Sequence, residues 1–236
     1  MPTKHLSTQF DSELNSVSAR VMEMGGLVEQ QIHYAVYALT QWSLEAVETV
    51  TALEQKVNAM EVDIDYELSS IIGRRQPTAR DLRMLMTFSK VTANLERMGD
   101  EAHKIARMVQ SIIESGVARS LPAGELRVSA DLASAMLRKA LDALARLDTK
   151  SAVDILKEDD AINEEFDGFV RKLITYMMED PRTISPCLNL LFLAKAIERI
   201  GDHSKNVAEQ IIYLVEGKDI RHKAIEVVEA TVESAK

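Results

Sequence analysis

A chain of 236 residues, 46% hydrophobic and 28% charged, has the composition of an ordinary folded protein of one or two domains rather than a disordered one. Nine glycines, five prolines and 5% aromatics are too few for the turns and strands of an all-β sandwich, so helix is favoured. A net charge of −9 argues against nucleic acid or an anionic membrane surface as ligand, and the single cysteine, Cys187, excludes an internal disulfide framework and a cysteine-built zinc site.

The first residues, Met1-Pro2-Thr3-Lys4-His5-Leu6, lack the apolar run of a signal peptide. No stretch approaches the roughly 18 uncharged apolar residues of a membrane span, so the cytoplasm is the expected compartment. Prolines punctuate the rest of the chain. A proline is tolerated at a helix start and breaks a helix interior. Between Pro2, Pro77, Pro122, Pro181 and Pro186 the apolar periodicity predicts helices near 7–40, 43–73, 78–115, 122–148, 150–179 and 183–216. Ser43 and Thr149 are the expected N-caps of the second and fifth. Gly116 and Gly217 follow the third and sixth, where a C-terminal glycine belongs. From Lys218 the tail is charged, with room for one short helix.

The third helix carries a seam of Leu85, Phe88, Thr92, Leu95, Gly99, Ala102, Ala106, Val109 and Ile113, spaced alternately by three and four. Such a seam marks helices packed lengthwise in a bundle. At an offset of 102 it recurs in the sixth helix as Cys187, Leu190, Ala194, Ile197, Gly201, Ser204, Ala208, Ile211 and Val215. Within it, Leu95-Glu96-Arg97-Met98-Gly99-Asp100 returns as Ile197-Glu198-Arg199-Ile200-Gly201-Asp202. Upstream, Val57-Asn58 returns as Ile162-Asn163, and Pro77 as Pro181. The chain therefore reads as all-α, a tandem duplication of a three-helix bundle with six long helices. Short links imply up-down connectivity. The units span 1–118 and 119–217 and join near Gly116 to Gly124, with a tail over 218–236.

Glu96 and Asp100, four apart, share one helix face, as do Glu198 and Asp202. On the preceding helices Glu54 stands four residues before Asn58, and Asp159 four before Asn163. With antiparallel packing, each unit brings two oxygen-rich pairs to one surface. Oxygen ligands without cysteine suit hard cations such as magnesium, manganese, calcium or iron. One acidic pair alone is common on a solvated face. Four oxygen-rich pairs at duplicated positions point to a cation, which would reverse the repulsion of like charges in the two acidic ones. Gly99 and Gly201 cost about 1 kcal/mol each against alanine inside a helix, so both need a packing reason.

Other features read plainly. His103 and His203 are out of register, the duplicate of His103 being Lys205, and both read as surface histidines rather than ligands. Arg74, Arg75, Arg80 and Arg83 form a basic corner around Pro77, read as a solvated helix end in preference to a partner site. Met177-Met178 fits an adaptable interface. No Glu-x-x-His pair of the di-iron bundles, phosphate-cradling glycine loop, serine elbow or His-Glu-x-x-His stretch is present.

From His5 and Met24-Gly25-Gly26 to Arg221-His222 the chain resembles the PhoU family, the bacterial phosphate-signalling regulators. The resemblance is carried by Arg75-Gln76-Pro77-Thr78, the two Glu-Arg-x-Gly-Asp motifs and Tyr176-Met177-Met178-Glu179-Asp180. It implies two PhoU-like, spectrin-repeat-like three-helix bundles related by a pseudo-two-fold. It also implies metal ions (iron, manganese, magnesium or zinc) held at motifs of the form Glu/Asp-x-x-x-Asp. Glu96/Asp100 and Glu198/Asp202 match that form; Glu54/Asn58 and Asp159/Asn163 end in an amide, which offers a carbonyl oxygen without charge. The implied role is negative regulation of the phosphate-starvation response, as an adaptor that also modulates phosphate uptake. Its implied partners are the ATPase subunit of the phosphate ABC transporter (PstB-like), the sensor histidine kinase (PhoR-like) and a second copy in a homodimer. No catalytic activity, nucleic acid or membrane insertion is implied. Two rivals stand beside this reading. A carboxylate-bridged metalloenzyme would need a pocket, an open coordination position and a general base. A structural bundle would have no metal function.

Overall fold

A computed structural model describes residues 8–116 and 122–233. The expected boundary between 118 and 119, and the first seven residues, lie outside the described residues. Within them the chain forms seven α-helices and no strand: α1 (Thr8–Gln41), α2 (Leu44–Arg75), α3 (Ala79–Glu114), α4 (Leu126–Arg146), α5 (Thr149–Glu179), α6 (Ile184–Glu216) and the short α7 (Ile225–Glu233). Pro122 precedes and Pro181 begins a single 3-10 turn, Ala123–Glu125 and Pro181–Thr183 respectively, and α4 starts four residues later than the periodicity predicts while α6 starts one later.

The helical hairpins close the same way in both halves. Trp42 and Leu147 turn the chain with φ of 52° and 53°. The next residue donates its amide back five positions, Ser43 to Ala38 and Asp148 to Ala143, satisfying carbonyls that the helix end leaves open. Ser43 caps α2 through its hydroxyl, which accepts from the Ala46 amide at 3.2 Å. The cap of α5 is Asp148 and not Thr149. Its carboxylate accepts from the amides of Lys150 (3.0 Å) and Ser151 (3.2 Å) and from the Ser151 hydroxyl (2.8 Å), leaving Thr149 as the first helical residue. A carboxylate at that end also faces the positive pole of the helix.

α1, α2 and α3 pack on one another, as do α4, α5 and α6. The two bundles lie side by side, chiefly through α3 against α6, with α1 touching α4. Along α3–α6 the pairs run antiparallel: Ser111 with Asn189, Glu101 with Arg199, Asn94 with Asn206. The repeated seam is buried from Leu85 to Val109 and from Cys187 to Ile211. Its last member differs, since Ile113 is half-buried while Val215 is 40% exposed near the end of α6. The tail packs through α7 on α5, where Lys157 pairs with Glu229.

The basic corner is not simply solvated. Arg75 clasps Glu13 of α1 with two bonds, at 2.7 and 2.9 Å, and Arg74 adds a third at 3.2 Å. Arg83 lies against the left-handed Gly217 that ends α6, so close that a Cβ there would meet its Nη1 at 2.5 Å. These arginines tie helix ends together across and within the bundles. Met178, 80% exposed, and the half-buried Met177 end α5.

Candidate functional site

The Glu-Arg-x-Gly-Asp motifs of α3 and α6 lie beside each other at the contact between the bundles, each turning its glycine toward its own bundle. A Cβ on Gly99 would meet Gln31 Oε1 at 3.0 Å and Glu54 Oε2 at 3.4 Å; a Cβ on Gly201 would meet Ile162 Cδ1 at 2.8 Å. The neighbouring helix thus approaches beneath each acidic face, which is the packing reason the glycines require.

On the first face, Glu54 of α2 and Glu96 with Asp100 of α3 come together as the spacing predicts. Glu61, two turns along α2 from Glu54, joins them. Glu54 is buried, Glu96 and Glu61 are half-buried and Asp100 is exposed. Gln31, fully buried in α1, donates to Glu54 Oε2 at 2.7 Å and to the Gly99 carbonyl at 3.1 Å, while its own Oε1 has no partner. Asn58 donates to Glu54 Oε1 at 3.2 Å. Burial pushes the Glu96 carboxyl up to about 7, and the neighbouring Asp100, Glu61 and Glu54 carboxyls add to the rise against Arg97. Burial likewise raises Glu54, where the Gln31 bond pulls the other way, and raises Glu61.

On the second face, Asp159 of α5 and Glu198 with Asp202 of α6 are also brought together, and Asn163, one turn along α5 from Asp159, is half-buried. Here two ammonium groups intervene. Lys205 Nζ lies 2.7 Å from Asp159 Oδ2, and Lys195 Nζ lies 2.6 Å from Glu198 Oε1. Burial raises Asp202, and Glu198 and Asp159 raise it further, while both lysines oppose them. Burial pulls Lys205 down, but its bond to Asp159 and the nearby carboxylates outweigh that and leave it raised. Glu198 Oε2 remains buried without a partner.

Gln31, Glu61, Lys195 and Lys205 belong to these faces and stand outside the acidic pairs that spacing singles out. Glu61 carried a signal, being seven residues from Glu54 and so on the same helix side. His203 is no free surface histidine. It is half-buried between α3 and α6 with Nδ1 3.1 Å from Asn94 Oδ1, and burial, with Arg97 and Arg199, lowers it to about 4.

Among the described residues no three His, Cys, Asp or Glu side chains are disposed to hold a metal ion as they stand. The donors fit a hard cation by chemistry on the first face, where Glu54, Glu61, Glu96 and Asp100 gather with Arg97 as the one cation acting on them and no lysine. No helix among the described residues is long and apolar enough to cross a membrane.

The PhoU domain model matches the chain twice, over residues 21–109 and 126–211, so each bundle carries one domain. The phosphate-specific transport system accessory protein PhoU homolog of a Burkholderia species is 49% identical over 223 residues, covering 94% of this chain and 95% of its own. The accessory protein PhoU of Escherichia coli (strain K12) is 45% identical over 223 residues, covering 93% and 90%. The crystal structure of PhoU from Pseudomonas aeruginosa superposes with a TM-score of 0.83 at 39% identity, over 89% of this chain and all of that one. The phosphate transport system regulatory protein PhoU from Streptococcus pneumoniae gives 0.82 at 25% identity, over 89% and 98%. With both bundles matched and relatives this similar along nearly their whole length, the chain belongs to the PhoU family.

Proposed function

We propose that this protein is an accessory regulator of phosphate uptake that acts in the cytoplasm by binding other proteins, holding the phosphate-starvation response off when phosphate is plentiful. The observation that carries the reading is likeness to phosphate-specific transport system accessory proteins over more than nine-tenths of the chain. Its partners in this reading are the transporter's ATPase subunit and the sensor histidine kinase, and it pairs with a second copy of itself. An acidic adaptor of net charge −9 is poorly suited to act on promoter DNA, since neutralising phosphates needs a basic face. Deleting the protein is expected to leave phosphate-regulated genes on in phosphate-rich medium, and removing the kinase as well to silence them. Genes that stay repressed in the single deletion, or stay on in the double, refute the adaptor.

Cation binding belongs to the same proposal. In the first bundle Glu54, Glu96 and Asp100 supply carboxylate oxygens, and Asn58 an amide oxygen, to a hard divalent ion such as manganese, magnesium or iron. A bound ion would neutralise carboxylates that now repel one another and would draw their side chains together. Glu96→Ala with Asp100→Ala should abolish metal retained through untagged purification without unfolding the bundle, while Asn58→Asp should tighten binding. Unchanged metal content in the double variant removes these residues from consideration. Glu198, Asp202, Asp159 and Asn163 hold the matching positions in the second bundle, where Lys195 and Lys205 already sit on the carboxylates.

A further inference from the structure

The two acidic faces share a pattern but not a charge balance. At the repeat offset, Lys195 corresponds to Ala93 and Lys205 to His103, and with the α2–α5 offset Phe166 corresponds to Glu61. The first face therefore gathers Glu54, Glu61, Glu96 and Asp100 with no lysine among them. The second gathers Asp159, Glu198 and Asp202 with two.

We propose that Lys195 and Lys205 take the place of a metal ion on the second face, so that this face is closed to cations as it stands and divalent-ion binding belongs to the first bundle alone. The inference rests on the reading of the first face as a cation site. Its own support is geometric. Asp159 is 4% exposed and Glu198 9% exposed, and each already has an ammonium within 2.7 Å. A divalent ion would have to displace both lysines from carboxylates they already neutralise, so the repulsion that an ion would relieve on the first face is largely absent here. Lys195 is further held over the Phe166 ring, 5.3 Å from its centroid, where the first face places Glu61 instead. One donor is left over, the buried and unpartnered Glu198 Oε2. It makes the second face a latent site: remove the ammoniums, and three carboxylates with one orphan oxygen remain.

The test is a titration of chelator-stripped full-length protein with Mn²⁺ alone, read by calorimetry and by the electron paramagnetic resonance of free Mn²⁺. Glu96→Gln with Asp100→Asn is expected to weaken binding at least tenfold. Glu198→Gln with Asp202→Asn is expected to leave it within twofold of the starting protein. Lys195→Met with Lys205→Met should add a further binding event, and adding Glu198→Gln and Asp202→Asn to that variant should erase it. If the methionine pair fails to fold by circular dichroism, Lys195→Ala with Lys205→His, the residues of the first face, replaces it. Equal losses from the two carboxylate pairs overturn the inference, as does a folded lysine variant that gains no ion. Should the starting protein bind no Mn²⁺, the cation reading of the first face fails by itself. Binding that then appears only in the lysine variant still supports the exchange of ammonium for metal, and none in either overturns it.

Discussion

Gln31 and Met136 hold equivalent places in α1 and α4, one reaching for a carboxylate and the other filling core. The contrast runs through both faces. In the first bundle Glu54 is steadied by neutral amides, from Gln31 and Asn58, and its neighbours are other acids. In the second, Asp159 and Glu198 are steadied by full positive charges. The first arrangement leaves its carboxylates without a lysine partner; the second pairs Asp159 and Glu198 with internal ammoniums. Duplication kept the helices, the backbone of the motif and the amide of Asn58 and Asn163, while Gln31, Glu61, Ala93 and His103 of the first face stand opposite Met136, Phe166, Lys195 and Lys205 in the second.

The comparison is broken most directly at Lys205. Lys205→Met strips the buried Asp159 of its ion pair and is expected to destabilise metal-free protein by about 2 kcal/mol, below the 3–5 kcal/mol of a fully buried pair because the lysine is 37% exposed. The matching His103→Met is expected to fall within about 0.5 kcal/mol of zero. Urea unfolding of both variants in chelator measures the difference, and equal effects would remove the distinction between the faces.

Gln31→Met makes the first bundle resemble the second at that place. It takes a donor from buried Glu54 and should cost about 1–2 kcal/mol, read from the same urea midpoints. A neutral or stabilising result would mean that Gln31 does not hold the carboxylate.

The glycines separate the bundles more finely. At Gly99 an added methyl meets Gln31 Oε1, whose amide is anchored by two hydrogen bonds, so Gly99→Ala should lose about 1 kcal/mol net. At Gly201 it meets the Cδ1 tip of the buried Ile162, the far end of a flexible side chain with no hydrogen bond to hold it, and the helix-propensity gain of about 1 kcal/mol should roughly offset the crowding. Thermal melts of the two alanine variants differing by less than a degree would contradict this.

The smallest effect sharpens the comparison by sign. In chelator, Glu96→Gln relieves like-charge repulsion and should stabilise by about 0.2–0.5 kcal/mol. Glu198→Gln deprives Lys195 of its partner and should destabilise. Matching signs in paired melts would show that the lysines do not compensate the second face.

Helices, seam and duplication were legible because each rests on local spacing. A residue's neighbours three and four along are decided by helix geometry alone, and the same spacings at an offset of 102 disclosed the repeat. The acidic pairs were legible for the same reason, and so was the need for something to pack against Gly99 and Gly201. Asp148 is not distinguishable at that level because Thr149 next to it is also a competent cap, and only the turn made by Leu147 decides which of them sits at the helix edge.

What the amino-acid order determined by itself was therefore the helical class, the two-fold repeat and the placing of oxygen donors on one side of each helix. Tertiary structure decided which charges those donors meet. Gln31 reaches Glu54 from 23 residues away, Lys205 reaches Asp159 from 46 and Arg199 reaches Glu101 from 98. Each of these encounters depends on the register and rotation of one helix against another. That is set by the collective packing of the apolar seams, and no spacing within a single helix encodes it.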